Sequence, residues 1–148
     1  MSKVFEVLAQ KVPALFTAAP GDPVQKALEM MHKHRVRSVV VIEGDKLVGI
    51  VSERDCALKV LLPGLDSGQV KIDQIMTREV VTVGPEDTLD KCMQEMSARS
   101  IRHLPVCDDG RVVGMLSIGD AMKEIMRQQE QHIKYLETYI KGNELSYR

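Results

Sequence analysis

Two stretches decide the fold: Gly49-Ile50-Val51-Ser52-Glu53-Arg54-Asp55 and Gly114-Met115-Leu116-Ser117-Ile118-Gly119-Asp120. Each is a short apolar run with one glycine, followed by Ser-x-x-Asp. They lie 65 positions apart, and the same offset lays residues 17–60 on residues 82–125 without a gap. Eleven of the 44 aligned positions are identical, where ordinary residue usage would give about 2–3 by chance. Thr17, Pro20, Asp22 and Lys26 meet Thr82, Pro85, Asp87 and Lys91; Met31, Arg37 and Val41 meet Met96, Arg102 and Val106. The chain is therefore a duplicated unit. A unit of about 60 residues is marginal alone, so the two copies are expected to cover each other's apolar faces.

Working outward, each copy has one order of elements. Asp22-Pro23 and Asp87-Thr88 read as an N-cap and a first helical residue, with Gln25 placed as a capping-box partner. Val24, Ala27, Leu28 and Met31 then recur at helical spacing, as do Leu89, Cys92, Met93 and Met96. Two β-rich runs follow, Ser38–Ile42 and Leu47–Val51, around a hairpin turn at Glu43-Gly44-Asp45-Lys46. Their counterparts are Leu104–Cys107 and Val112–Leu116, around Asp108-Asp109-Gly110-Arg111. A second helix begins after Ser52 and after Ser117. A short strand, Val80-Val81-Thr82-Val83, leads into the second copy, and residues 61–74 read as the linker. The fold class is α+β: two β-α-β-β-α repeats, over 8–64 and 73–130, about a pseudo-two-fold axis, then a helical extension and tail over 131–148.

Composition narrows the function. Twenty Lys+Arg against 21 Asp+Glu give a formal charge of −1, unlike a chain whose main partner is nucleic acid. Aromatics are 3% with no Trp, too few for base-stacking platforms. No apolar run is long enough to span a bilayer, and Met1–Glu6 has no signal-peptide block. Cys56, Cys92 and Cys107 fit no C-x-x-C pattern and read as reduced thiols of a cytoplasmic protein.

The Ser-x-x-Asp pairs admit two readings. One is a capping box, with Ser as cap and Asp reaching back in the first turn. The other is a nucleotide site. A helix start offers free N–H groups and partial positive charge to a phosphate, and a carboxylate one turn in can accept both hydroxyls of a ribose. Two copies in register favour the second.

The repeat length, the β-α-β-β-α order and the G-h-h-S-x-x-D motif resemble tandem CBS domains. Arg102-His103-Leu104-Pro105-Val106 and Thr82-Val83-Gly84-Pro85-Glu86-Asp87-Thr88-Leu89 add to the likeness, which covers about residues 8–127. It implies a non-catalytic regulatory module that binds AMP, ADP, ATP, NAD-type dinucleotides or S-adenosylmethionine between its repeats. The family's crossed arrangement implies one site from Ile50, Ser52, Arg54 and Asp55 with Thr77, Val80, Val81, Ile101, Arg102 and His103. The other would use Met115, Ser117, Gly119 and Asp120 with Lys11, Phe16, Val36, Arg37 and Ser38. Apolar residues would sandwich the base, and Arg54, Arg102 and His103 would face phosphates. Glu53-Arg54 against Ile118-Gly119 makes the first site richer in phosphate-binding charge; the second suits a bulkier or less charged ligand.

Other constellations carry less. His32 and His34 point about 200° apart on a helix and cannot easily share a metal, so no metal is expected. Ser52 and Ser117 lack an elbow motif, the nine Met read as core, and Cys56 reads as a buried filler rather than a reactive thiol. Met122, Met126, Gln129, Ile133, Leu136 and Ile140 alternate by 4 and 3, an a/d-like seam that either packs on its own module or joins a homodimer; Lys141-Gly142 reads as the helix end. The expected partners are an adenine nucleotide, a second copy and an unidentified effector protein, not nucleic acid or membrane. The competing readings are an oligomerisation adaptor with vestigial sites and a small nucleotide-processing enzyme.

Overall fold

A computed structural model describes residues 2–11 and 15–146, with side chains through Gly142. The chain runs α1 (Val4–Ala9), β1 (Thr17–Ala18), α2 (Val24–His34), β2 (Ser38–Glu43), β3 (Lys46–Ser52) and α3 (Glu53–Cys56). The helix α3 widens into π geometry over Ala57–Leu61, and a 3-10 turn follows at Ile72–Gln74. Then come α4 (Leu89–Arg99), β4 (His103–Asp108), β5 (Arg111–Ser117) and α5 (Ile118–Ser146). The fold is α+β and duplicated. Both hairpins are antiparallel, with a register shift at equivalent places, Val41/Ile42 and Val106/Cys107.

The cores repeat the same offset. Val24, Ala27, Met31, Val39, Val41 and Val51 are buried in the first; Leu89, Cys92, Met96, Leu104, Val106 and Leu116 replace them in the second. Each core is completed by a segment that precedes the other repeat in sequence. Ile72, Ile75 and Met76 enter the first core, and Val4 and Val7 enter the second. The backbone repeats this exchange: Ile72 N–H donates to Asp22 C=O at 2.9 Å, and Val4 N–H to Asp87 C=O at 2.9 Å. Asp73 N–H to Pro20 C=O and Phe5 N–H to Pro85 C=O follow, both at 3.0 Å. The segment read as linker thus ends in a core element of the repeat before it.

Three local expectations are corrected. The helices α2 and α4 are capped one residue later, at Pro23 and Thr88. Asp22 and Asp87 instead accept from the backbone N–H of Ala19 and Gly84 and pair with Lys26 and Lys91. Gln25 reaches Glu29 rather than Asp22. The strand expected at 80–83 shrinks to one parallel bridge, Val83 to Val106. In the first repeat Thr17 pairs with Val40; the equivalent bridge would need an N–H at position 105, where Pro105 has none. Finally, α5 runs through Lys141-Gly142 to Ser146. One interior glycine costs about 1 kcal/mol and no proline follows to end the helix; the tail, 147–148, lies outside the described residues. No described helix is long and apolar enough to cross a membrane.

Candidate nucleotide site

Both Ser-x-x-Asp motifs fold as capping boxes. Ser52 N–H and Oγ donate to Asp55 Oδ2 at 3.0 and 3.1 Å, and Asp55 N–H donates back to Ser52 Oγ at 3.1 Å. Ser117 N–H donates to Asp120 Oδ2 at 2.9 Å, and Asp120 N–H to Ser117 Oγ at 3.1 Å. The first helical N–H of each is taken too: Glu53 N–H by Arg37 C=O and Ile118 N–H by Arg102 C=O. These bonds pin the loops before β2 and β4 against the two helix starts.

The carboxylates differ in their cation. Asp55 Oδ1 pairs with Lys59, one turn along its own helix, at 3.0 Å. The position equivalent to Lys59 is Glu124. Asp120 therefore takes its cation from elsewhere, pairing with Lys11 at 2.8 Å, and the same ammonium donates to Met115 C=O at 2.8 Å. Burial raises the Asp120 carboxyl, but Lys11 and the Ser117 N–H outweigh it and hold the group below the ordinary value. Glu124 is itself buried, bound by Arg127 and Ser2, and sits at about 2 because the Arg127 bond outweighs desolvation.

Two clefts lie between the repeats. The larger, about 1080 Å³, is lined by every residue assigned to the first site: Ile50, Ser52, Arg54, Asp55, Thr77, Val80, Val81, Ile101, Arg102 and His103. Thr77 is brought there by paired backbone bonds with Ile50, at 2.8 and 3.0 Å. Arg37 and Ser38, assigned to the other site, also line this cleft, as do Met93 and Ser97 of α4 and Ser100 at its C-cap. The helical spacing of those three residues was the available signal for that wall. No ion pair is made by Arg37, Arg54 or Arg102 among the described residues. Ser38 is 6% exposed, and its Oγ is buried with no hydrogen-bond partner among the described residues. Burial, then the Arg37 charge, holds the His103 imidazole below its usual value.

The smaller cleft, about 570 Å³, brings together Lys11, Phe16, Val36 and Asp120. Met115, Ser117 and Gly119, at the end of β5 and the start of α5, are outside its lining. Phe16 stacks on His34 with ring centroids 3.9 Å apart and planes 14° from parallel. His34 and Glu124 line it and were missed; the Lys59/Glu124 charge reversal was the available signal for the latter. Among the described residues no group of three or more His, Cys, Asp or Glu could hold a metal ion. Burial pushes the Cys56 thiol up to about 11, against thiolate chemistry there.

Comparison with known proteins agrees with the duplicated fold. The CBS domain model matches twice, over residues 6–61 and 72–127. CBSX3, a mitochondrial CBS domain-containing protein of Arabidopsis thaliana, is 36% identical over 126 residues, 82% of this chain. This chain spans 61% of that relative's length. A CBS-domain protein from Burkholderia ambifaria MC40-6 superposes with a TM-score of 0.83 at 35% identity, covering 86% of this chain and 96% of that one. The CBS domain pair of MJ0100, solved with 5′-methylthioadenosine and S-adenosyl-L-methionine, gives a TM-score of 0.74 at 28% identity, covering 84% and 99%. With both motifs, both cores and both family matches repeating along it, this chain belongs to the CBS domain family as a tandem pair.

Proposed function

We propose that the protein is a non-catalytic sensor of an adenine nucleotide, AMP or a related ADP, ATP or NAD-type ligand, held in the larger cleft. The observation that carries this reading is that the lining holds Arg37, Arg54 and Arg102, none of them ion-paired among the described residues, together with the buried Ser38 hydroxyl, which has no hydrogen-bond partner among them. Unpaired arginines suit phosphate oxygens, and a buried hydroxyl left unmet asks for a ligand. Ile50, Val80, Val81 and Ile101 offer the apolar faces for a base, and Asp55, whose Oδ1 exchanges its exposed Lys59 partner, offers the ribose acceptor. The adenosine ligands bound to the MJ0100 pair support that class; the guanidiniums favour a phosphate-bearing member of it. The smaller cleft is latched by Lys11 on Asp120 and by the Phe16–His34 stack, so binding there is weaker. The module acts in the cytoplasm as a homodimer through α5 and passes its state to an effector protein.

Titration calorimetry with AMP, ATP, NAD and adenosine tests this. One phosphate-bearing nucleotide should bind each chain tightly, raising Tm by several degrees at 100 Kd, where linkage adds about 2.7 kcal/mol. Arg54→Ala should cost roughly 1.5–3 kcal/mol of that binding, and Asp120→Ala should leave it intact. No shift of Tm with any adenosine compound at millimolar concentration would reject the sensor. Chemical conversion of the nucleotide would reject the non-catalytic part.

A further inference from the structure

Past Ile125, which packs on the second core, α5 continues with its apolar residues uncovered. Met126, Ile133, Leu136 and Ile140 are between 43% and 58% exposed, and they follow one another at seam spacing along a helix that reaches Ser146. Ile133 and Ile140 occupy a positions and Leu136 the d between them; β-branched residues at a with leucine at d favour two parallel strands. Gln129 takes the preceding d position, where its amide can hydrogen-bond the same amide of a second copy only when the two helices are in register. The flanking charges agree. The e positions are Glu130 and Glu137, and the g positions His132 and Tyr139. In a parallel pair g faces the next e of the other helix, so His132 of one copy meets Glu137 of the second. In an antiparallel pair e faces e, which sets glutamates against glutamates.

We infer that α5 forms a parallel, in-register two-stranded coiled coil with α5 of a second copy, its seam set by Gln129, Ile133, Leu136 and Ile140. This rests on the homodimer through α5 proposed above and adds the direction and the register. At 1.5 Å per residue, positions 126 and 140 lie about 21 Å apart along the helix. A disulfide needs Cα atoms within about 7 Å. Met126→Cys and Ile140→Cys, made separately in the full chain and mildly oxidised, should each give covalent dimer at least tenfold above the wild type, which serves as baseline for the native cysteines. Cross-linking only when the two variants are mixed would show antiparallel helices and overturn the inference while leaving the dimer standing. Failure of both variants to cross-link, with a dimer in sedimentation, would place association on the repeats and overturn it likewise. A wild type that sediments as a monomer at micromolar concentration would overturn the inference and the homodimer together. As a second measurement, Ile133→Glu should raise the dimer dissociation constant at least tenfold while the circular dichroism of the folded repeats is kept; an unchanged constant would reject the seam.

Discussion

Ser38 is the residue at which burial and hydrogen bonding disagree most. A hydroxyl kept dry without a partner costs about 1–3 kcal/mol. Ser38→Ala should therefore stabilise the ligand-free protein by about 1 kcal/mol in urea unfolding while weakening nucleotide binding five- to tenfold. Loss of stability with unchanged affinity would make Ser38 a packing residue. His103 supplies a second prediction at this scale. Its ring is held below the ordinary 6.5 by burial and by Arg37, so the folded state prefers it neutral. The stability this contributes is complete above pH 6.5 and is lost as the pH falls through the folded value. A phosphate beside the ring would reverse the bias, so binding should take up protons on the acid side of pH 6.5. Calorimetry in buffers of different ionisation heat reads that uptake, and His103→Gln should abolish it; uptake unchanged in the variant would remove His103 from the ligand's surroundings. Arg102 was legible in the sequence because the duplication sets it against Arg37, and Arg54 because it lies inside the first motif, although its counterpart is Gly119. That Ser38 lines the larger cleft was not, because it depends on how the two repeats cross, and no local pattern encodes that.

The element with least room is β3. A Cβ on Gly49 would lie 2.5 Å from Met76 Sδ and 3.1 Å from Thr77 C=O, whereas on Gly114 it would meet Leu8 Cδ1 at 3.0 Å. The first clash includes backbone and the second only the end of a side chain. Gly49→Ala should cost about 1–3 kcal/mol and weaken binding in the larger cleft by shifting Thr77; Gly114→Ala should cost less than 1 kcal/mol. Equal losses in thermal unfolding would contradict this ordering. Helices and hairpins were readable because their apolar periods are local. The cap positions and the missing strand were not, because they turn on single backbone donors such as the one Pro105 lacks. The run of α5 past Gly142 was missed because one glycine only weakens a helix.

At the scale of the whole molecule, neither repeat owns its core. Ile72 is fully buried in the first core although it leads into the second repeat. Ile72→Ala should cost about 2–5 kcal/mol. The loss should fall on both repeats at once, so circular dichroism and nucleotide release should report one coincident transition in urea. Two separated transitions would mean that each repeat folds by itself. The duplication and the need for the copies to cover each other were visible at once in the 65-residue offset; the exchange of leading segments was not, since Val4 and Ile72 sit outside the stretch that aligns. That exchange also bears on ancestry. Two unlinked copies of a single repeat with its leader would suffice to build the same body, with two identical clefts bound by symmetry to change together. Joining the copies in one chain released them from that constraint. Lys59 and Glu124 then stand as the mark of separate histories, one motif aspartate keeping a cation from its own helix while the other drew Lys11 in as its latch.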